Sequence, residues 1–297
     1  MTHADEPNRK KHPGTVRKRP FRDDVRLSVI GLGGLSVAKI PQKRANRVVA
    51  ESVESGVNYF DVAPTYANAE QRLGPALEPY RDKVFLACKT HQRGAKEARE
   101  ELEASLKNLR TDHFDLYQFH AVSSMEDVEK ILAPGGAAET FLKARKEGKI
   151  RYLGFSAHDE EAAIALIDRF ECDSVLFPVN YVCYEQGNFG PALLEHAKEN
   201  DVARLALKSM AHTPWPEGAE RTHPKCWYRP VSDREKARTA LRFTLTEDVT
   251  AALPPAETDL YLLALDIARQ GLPALSGEER ESLLATTKGL DPIFRSA

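Results

Sequence analysis

Four residues in the first half of the chain have the types and spacing to share one proton-transfer site: Asp61, Tyr66, Lys89 and His120. Each stands at or just past the end of an apolar run. VNYFDVAPTY presents Asp61 and, five residues on, Tyr66; KVFLACKT closes with Lys89 and Thr90; FDLYQFHAV carries His120 near its end. A carboxylate or phenol at the end of a buried strand is costly unless it finds a partner. Lys89 offers Asp61 a counter-charge. The same ammonium beside Tyr66 favours the phenolate and is expected to lower the tyrosine pKa. A tyrosine tuned in this way is a general acid for a developing alkoxide, a contribution of about 10²–10⁴-fold. His120 would orient the carbonyl oxygen or share the proton. The chemistry implied is reduction of a carbonyl, and because no side chain carries a hydride, a nicotinamide is required.

Taken singly, each residue has a plainer explanation. Asp61 could cap the helix that follows it, Tyr66 could be a rim aromatic, Lys89 a snorkelling edge residue and His120 a satisfied polar group. Their joint placement at the ends of three adjacent strands is what makes them a group. Two other functions use part of the pattern. A Schiff-base lyase would take Lys89 as nucleophile, but Asp61 beside it would raise the lysine pKa and oppose this. A regulatory barrel that binds NAD(P)H without turnover would have no need of the acid.

The elements that must position these residues recur as strand-sized apolar runs, each followed by a helical pattern. The runs are LSVIGLGG, VNYFDVAP, KVFLACKT, FDLYQFHAV, RYLGFSAH, SVLFPVNY, ARLALKSM and VTAALPP. AKEAREELEASLKNL illustrates the helices, with Leu102, Leu106 and Leu109 spaced for one face. Eight strand-then-helix units with runs apolar on both faces predict an α/β fold, a (β/α)8 TIM barrel over residues 16–297. An open doubly wound sheet is the alternative, but no GxGxxG opens a helix. Residues 14–26 are expected to form a short hairpin over the barrel floor. EERESLLATTK adds a C-terminal helix, and residues 1–15 read as a disordered basic tail.

Composition narrows the partners. Of 297 residues, 42 are Lys or Arg and 44 Asp or Glu, so the net charge of −2 gives no case for nucleic acid. No apolar run approaches membrane-spanning length. The N-terminus lacks the apolar stretch of a secretory signal. The four cysteines are scattered without a CxxC pair, which excludes the usual zinc and iron–sulfur spacings and suits a reducing cytoplasm. No metal is expected, and the oligomeric state is not legible.

The chain resembles the aldo-keto reductase superfamily over roughly residues 16–260. GVNYFDVAPTYANAEQRLGPAL is similar to the family's second-strand signature, here Asp61, Tyr66, Glu70 and Gly74. ACKT resembles the lysine segment and DLYQFHAV the histidine segment. The resemblance implies an NAD(P)H cofactor extended across the strand ends and a small-molecule aldehyde or ketone substrate. It assigns Tyr66 as the acid, supported by Asp61, Lys89 and His120. Gly33 and Gly34 would let the backbone approach the cofactor, and Ser156 would bond the nicotinamide carboxamide.

The second half departs from the family. Ala157 replaces an asparagine, Asn180 is the nearest amide on the sixth strand, Leu207 stands where a tyrosine often stacks, and Lys208 could meet the pyrophosphate. After the eighth strand the family carries cations for the 2′-phosphate of NADPH, whereas this chain places Glu257 and Asp259 there. Family resemblance therefore points to NADPH, and these acids to NADH. The long loops 121–138 and 211–233 are expected to shape the substrate mouth.

Overall fold

Residues 14–296 of the chain are described in a computed structural model. Most of the expected basic tail lies outside them. The N-terminal hairpin forms from β1 (Lys18–Arg22) and β2 (Val25–Ser28). The barrel strands are β3 (Leu32–Gly33), β4 (Tyr59–Asp61), β5 (Phe85–Thr90), β6 (Phe114–Val122), β7 (Ile150–Ala157), β8 (Ser174–Pro178) and β9 (Ala203–Leu207). A second hairpin, β10 (Ala211–Pro214) with β11 (Tyr228–Pro230), interrupts the loop after β9. The last barrel strand, β12 (Ala251–Leu253), follows the helix Arg234–Thr246. Neighbours run β3, β4, β5, β6, β7, β8, β9, β12, and all these pairings are parallel. The ring closes where Ile30 bridges Ala252 and Gly31 N–H donates to the Ala252 carbonyl at 3.0 Å. The architecture is the eight-stranded α/β barrel that the alternating runs predict.

One boundary differs. LSVIGLGG reads as a single strand, but Leu27 and Ser28 belong to the hairpin, and the barrel keeps only Leu32–Gly33. Ser28 is the switch point: its hydroxyl donates to the Ile30 carbonyl at 2.8 Å, and its N–H donates to Asn58 Oδ1 at 2.7 Å. Those bonds turn the chain from hairpin to barrel within an unbroken apolar run.

The hairpin closes the floor, because Phe21 and Leu27 cap an interior core of Tyr59, Phe85, Leu116, Leu176 and Leu205. The Phe21 ring meets Phe85 edge-on at 5.1 Å and Tyr152 at 5.5 Å. A larger core lies between the strands and the surrounding helices. The helix Ala95–Leu109 shows how it is built: Leu102, Leu106 and Leu109 are buried on one face, as their spacing requires. With the floor sealed and the interior filled by side chains, a ligand must enter from the C-terminal ends of the strands. The helix Gly277–Ala285 follows the barrel, and the segment beyond it returns to that mouth, where Ser296 N–H donates to the Gly187 carbonyl at 2.9 Å. All four cysteines are free and buried. Among the described residues no helix is long and apolar enough to cross a membrane, and no His, Cys, Asp or Glu cluster could hold a metal ion.

Candidate active site

Strand alternation on β4 points Tyr59 and Asp61 to one side. Asp61 is 1% exposed, and Lys89, from the adjacent β5, is 0% exposed. Such burial is tolerable only for a paired charge. Lys89 Nζ donates to Asp61 Oδ1 and, at 3.3 Å, to the Val62 carbonyl. The other carboxylate oxygen accepts from Gln118 Nε2 at 3.1 Å and from the Tyr59 hydroxyl at 3.3 Å. Asp61 is thus held by three side-chain donors and is no helix cap.

Tyr66 lies in the loop past β4 with its ring 5.3 Å from Lys89 Nζ. Its hydroxyl is 3.5 Å from His120 Nε2, and the two rings meet edge-on at 5.5 Å. On the other side of the imidazole, Nδ1 is 3.4 Å from the Thr65 hydroxyl. The His120 and Ala121 carbonyls accept from Arg93, which is itself paired with Asp127 at 2.9 Å. The four expected residues therefore do meet, at the mouth of the barrel.

The electrostatics correct one expectation. Burial raises the Tyr66 pKa above its ordinary value, and the opposing pull of Lys89 reduces that rise without reversing it. Lys89 acts in the expected direction, but desolvation is the larger effect. Tyr66 is accordingly a phenol throughout the neutral range, which is the form an acid needs. Burial alone would lower the Lys89 pKa, but Asp61 and Tyr66 hold it above its ordinary value. A lysine so held is a poor Schiff-base nucleophile. Burial, then Lys89 and His91, push His120 down to about 2. The imidazole is neutral at working pH, so it can take part in hydrogen bonds but carries no extra proton to give up.

The residues expected at the cofactor divide. Gly33 lines the cavity together with Asp61 and Tyr66, and a Cβ there would meet nothing within 4 Å. Gly34 is a packing glycine instead, since a Cβ there would come within 2.7 Å of Val62 Cγ2. Ser156 is 1% exposed; its hydroxyl oxygen accepts from Ala121 N–H at 2.8 Å, leaving its own O–H free to donate. Asn180 caps the helix Tyr181–Gly187 by accepting from Cys183 N–H, and its buried Nδ2 has no partner. Leu176 and Leu207 give the cavity apolar walls. Ser156 and Asn180 each keep a donor without a partner among the described residues, but neither lines this cavity. Lys208 also lines this cavity, but its Nζ is turned to His158 Nε2 at 3.0 Å.

Several contributors went unread in the sequence. Tyr59 and Gln118 were detectable by alternation, two residues before Asp61 and His120 respectively. Thr65, Arg93 and Lys225 come from loops and carry no such signal. Lys225 bridges the far end of the cavity: its Nζ donates to the Leu35 carbonyl at 3.1 Å, and its N–H donates to Glu257 at 2.7 Å. Asp259 pairs with Arg44 at 2.7 Å. Of the two acids after β12, Asp259 is therefore paired with the Arg44 cation, whereas Glu257 accepts from the Lys225 backbone N–H while the Lys225 ammonium bonds the Leu35 carbonyl. Of the aromatics in the loop after β9, Trp227 and Tyr228 reach the cavity, whereas Trp215 donates to the Cys226 carbonyl.

Comparison with known proteins bears on the family and the fold. The model of the aldo/keto reductase family matches residues 29–270. The uncharacterized oxidoreductase YqkF of Bacillus subtilis is 22% identical over 92% of this chain and 97% of its own length. The methylglyoxal reductase YeaE of Escherichia coli is 34% identical over a shorter stretch, 47% of this chain and 49% of that protein. In fold, the chain superimposes on the holo form of the aldo-keto reductase AKR11C1 from Bacillus halodurans with a TM-score of 0.72 and 24% identity, covering 92% and 96% of the two chains. The chain belongs to the aldo/keto reductase family.

Proposed function

We infer that the protein reduces an aldehyde or ketone to an alcohol using a reduced nicotinamide nucleotide. The observation that carries this reading is the Asp61–Lys89–Tyr66–His120 cluster opening on an apolar slot that suits a nicotinamide. When bound, the nucleotide supplies the hydride. The chain's own residues do the rest. Tyr66 donates its phenolic proton to the carbonyl oxygen as negative charge gathers there. Lys89 stabilises the phenolate so formed, and Asp61 fixes Lys89 in place. His120 Nε2 lies beside the Tyr66 hydroxyl and helps aim the carbonyl oxygen. Ser156 and Asn180 would hold the carboxamide, and Leu207 would pack on the ring.

Which nucleotide is used turns on the far end of the cavity. The case for NADH rested on unpaired acids after β12. Asp259 is paired with Arg44 and Glu257 attracts the nearby Lys225 ammonium through space, so part of that repulsion is offset, and Lys225 and Arg44 could serve a phosphate. NADH and NADPH are both expected to bind, within about tenfold of each other. Lys225→Met should weaken the nucleotide about tenfold, the loss of one charge-assisted hydrogen bond. Quenching of tryptophan fluorescence on titration with each nucleotide measures this; unchanged dissociation constants would remove Lys225 from the groove. The reading as a whole is tested by adding a neutral aldehyde to protein and reduced nucleotide. Loss of nucleotide absorbance with matching alcohol formation is expected, and binding without turnover would favour a regulatory barrel.

A further inference from the structure

Lys208 is the one lysine at the cavity that the reduction scheme does not use. It ends β9 in a left-handed backbone conformation, with φ of 60°, uncommon for a residue with a side chain and frequent at functional sites. From there the side chain crosses the end of β8 to reach His158, just past β7. It therefore turns away from β3 and β12, where Lys225, Glu257 and Leu35 gather. Its other neighbours are ring faces: Phe294 at 5.4 Å and Trp227 at 5.7 Å. Phe294 comes from the C-terminal segment, where it stacks on His158 at 5.3 Å. No carboxylate pairs with Lys208 among the described residues, whereas the fully buried Lys89 is matched to Asp61.

A half-buried ammonium among an imidazole and two aromatic rings, with no counter-anion beside it among the described residues, is open to an anion from outside the chain. Burial lowers its pKa to about 7, with only Cys183 opposing. Burial, then Lys208, lowers the His158 pKa to about 3, so the imidazole is uncharged near neutral pH; it also stands close enough to His120 to help lower that group. Lys208 and the proton donor Tyr66 both line the same cavity.

We propose that Lys208, with His158 and Trp227, is the subsite for an anionic group on the substrate, and that the preferred substrates are small carbonyl compounds bearing a carboxylate. This deepens the carbonyl-reductase reading and rests on it. The carboxylate seats on Lys208 Nζ, the body of the substrate lies against the Trp227 and Phe294 rings, and the reacting carbonyl reaches Tyr66 and His120. Trp227, 49% exposed, forms the outer wall. A phosphate group would satisfy the same cation, and so would the pyrophosphate of the nucleotide; the direction of the side chain favours the substrate.

The test compares 4-oxobutanoate with butanal, and 4-carboxybenzaldehyde with benzaldehyde, on the full chain. The unmodified protein is expected to favour the carboxylated member of each pair in kcat/KM by about tenfold or more, the scale of a lost polar partner. Lys208→Met should cut that ratio by about tenfold, mainly through KM, and Lys208→Arg should restore part of it. Equal or reversed preference in the unmodified protein would overturn the proposal without any variant. So would a Lys208→Met whose loss falls equally on both members and follows a raised nucleotide dissociation constant, the result for a pyrophosphate site. A readout independent of turnover is benzoate binding, followed by tryptophan fluorescence with Trp227→Phe as control. Saturable quenching that Lys208→Met weakens supports the subsite even if no aldehyde is reduced, and absence of benzoate binding contradicts it.

Discussion

Tyr66→Phe is expected to lower aldehyde reduction by at least about 10²-fold, the low end of general-acid effects, while nucleotide still binds. The substitution removes one hydroxyl and keeps the ring. The ring is what packs edge-on against His120 at 5.5 Å and beneath Lys89 at 5.3 Å, so the site's shape should persist. What is lost is the phenolic proton positioned beside His120 Nε2. His120 cannot take over, because burial holds it neutral down to about 2. Steady-state kinetics with a neutral aldehyde, alongside a nucleotide titration, separates the two effects. Turnover within a few-fold of the unmodified protein would take Tyr66 out of the mechanism.

Lys89→Met should act on rate and stability together. Asp61 would keep its bonds from Gln118 and Tyr59 but lose its counter-charge at a site 1% exposed. Breaking a buried pair from one side costs about 3–5 kcal/mol. Asp61→Asn combined with Lys89→Met removes both charges and should recover much of that stability in denaturant melts without recovering the rate. A double variant that regained the rate would make Lys89 purely structural. The pH dependence has a definite sign. Reduction needs Tyr66 protonated, and its pKa already lies above the ordinary 10.0, so the rate should fall only on a basic limb beyond that value. Lys89 pulls the Tyr66 pKa down, so Lys89→Met should move the limb to still higher pH while slowing the reaction. Stability follows the same group. Lys89 is raised on folding, so its contribution is full below the ordinary 10.5 and fades as pH climbs through the folded value.

The parts of this site that were legible in the sequence are those written in local spacing. Asp61, Lys89 and His120 end apolar runs on consecutive strands, and parallel pairing of those strands then brings them together. Tyr59 and Gln118 obey the same alternation and were overlooked only because neither is an obvious catalytic type. Other features depend on what the local sequence does not encode. The unbroken run LSVIGLGG gives no sign that pairing changes partner at Ser28. Neighbouring charge predicted a lowered Tyr66 pKa, but the larger burial effect depends on how deeply the loop packs. Glu257 and Asp259 read as unopposed because the Lys225 backbone N–H and the Arg44 guanidinium reach them from other parts of the chain. Position alone aims Lys208 at a pyrophosphate, whereas its Nζ meets His158 Nε2 at 3.0 Å, a contact the local sequence does not encode.

The claim on which everything else depends is that hydride reaches the carbonyl carbon at the cavity shared by Gly33, Asp61, Tyr66 and Leu207. Supplying the protein with nicotinamide nucleotide dideuterated at C4, together with an aldehyde, and weighing the alcohol by mass spectrometry tests it directly. One deuterium on the carbinol carbon of each product molecule, with formation sharply slowed in Tyr66→Phe, is the predicted result. Alcohol without deuterium, or bound nucleotide that is never consumed, would contradict it.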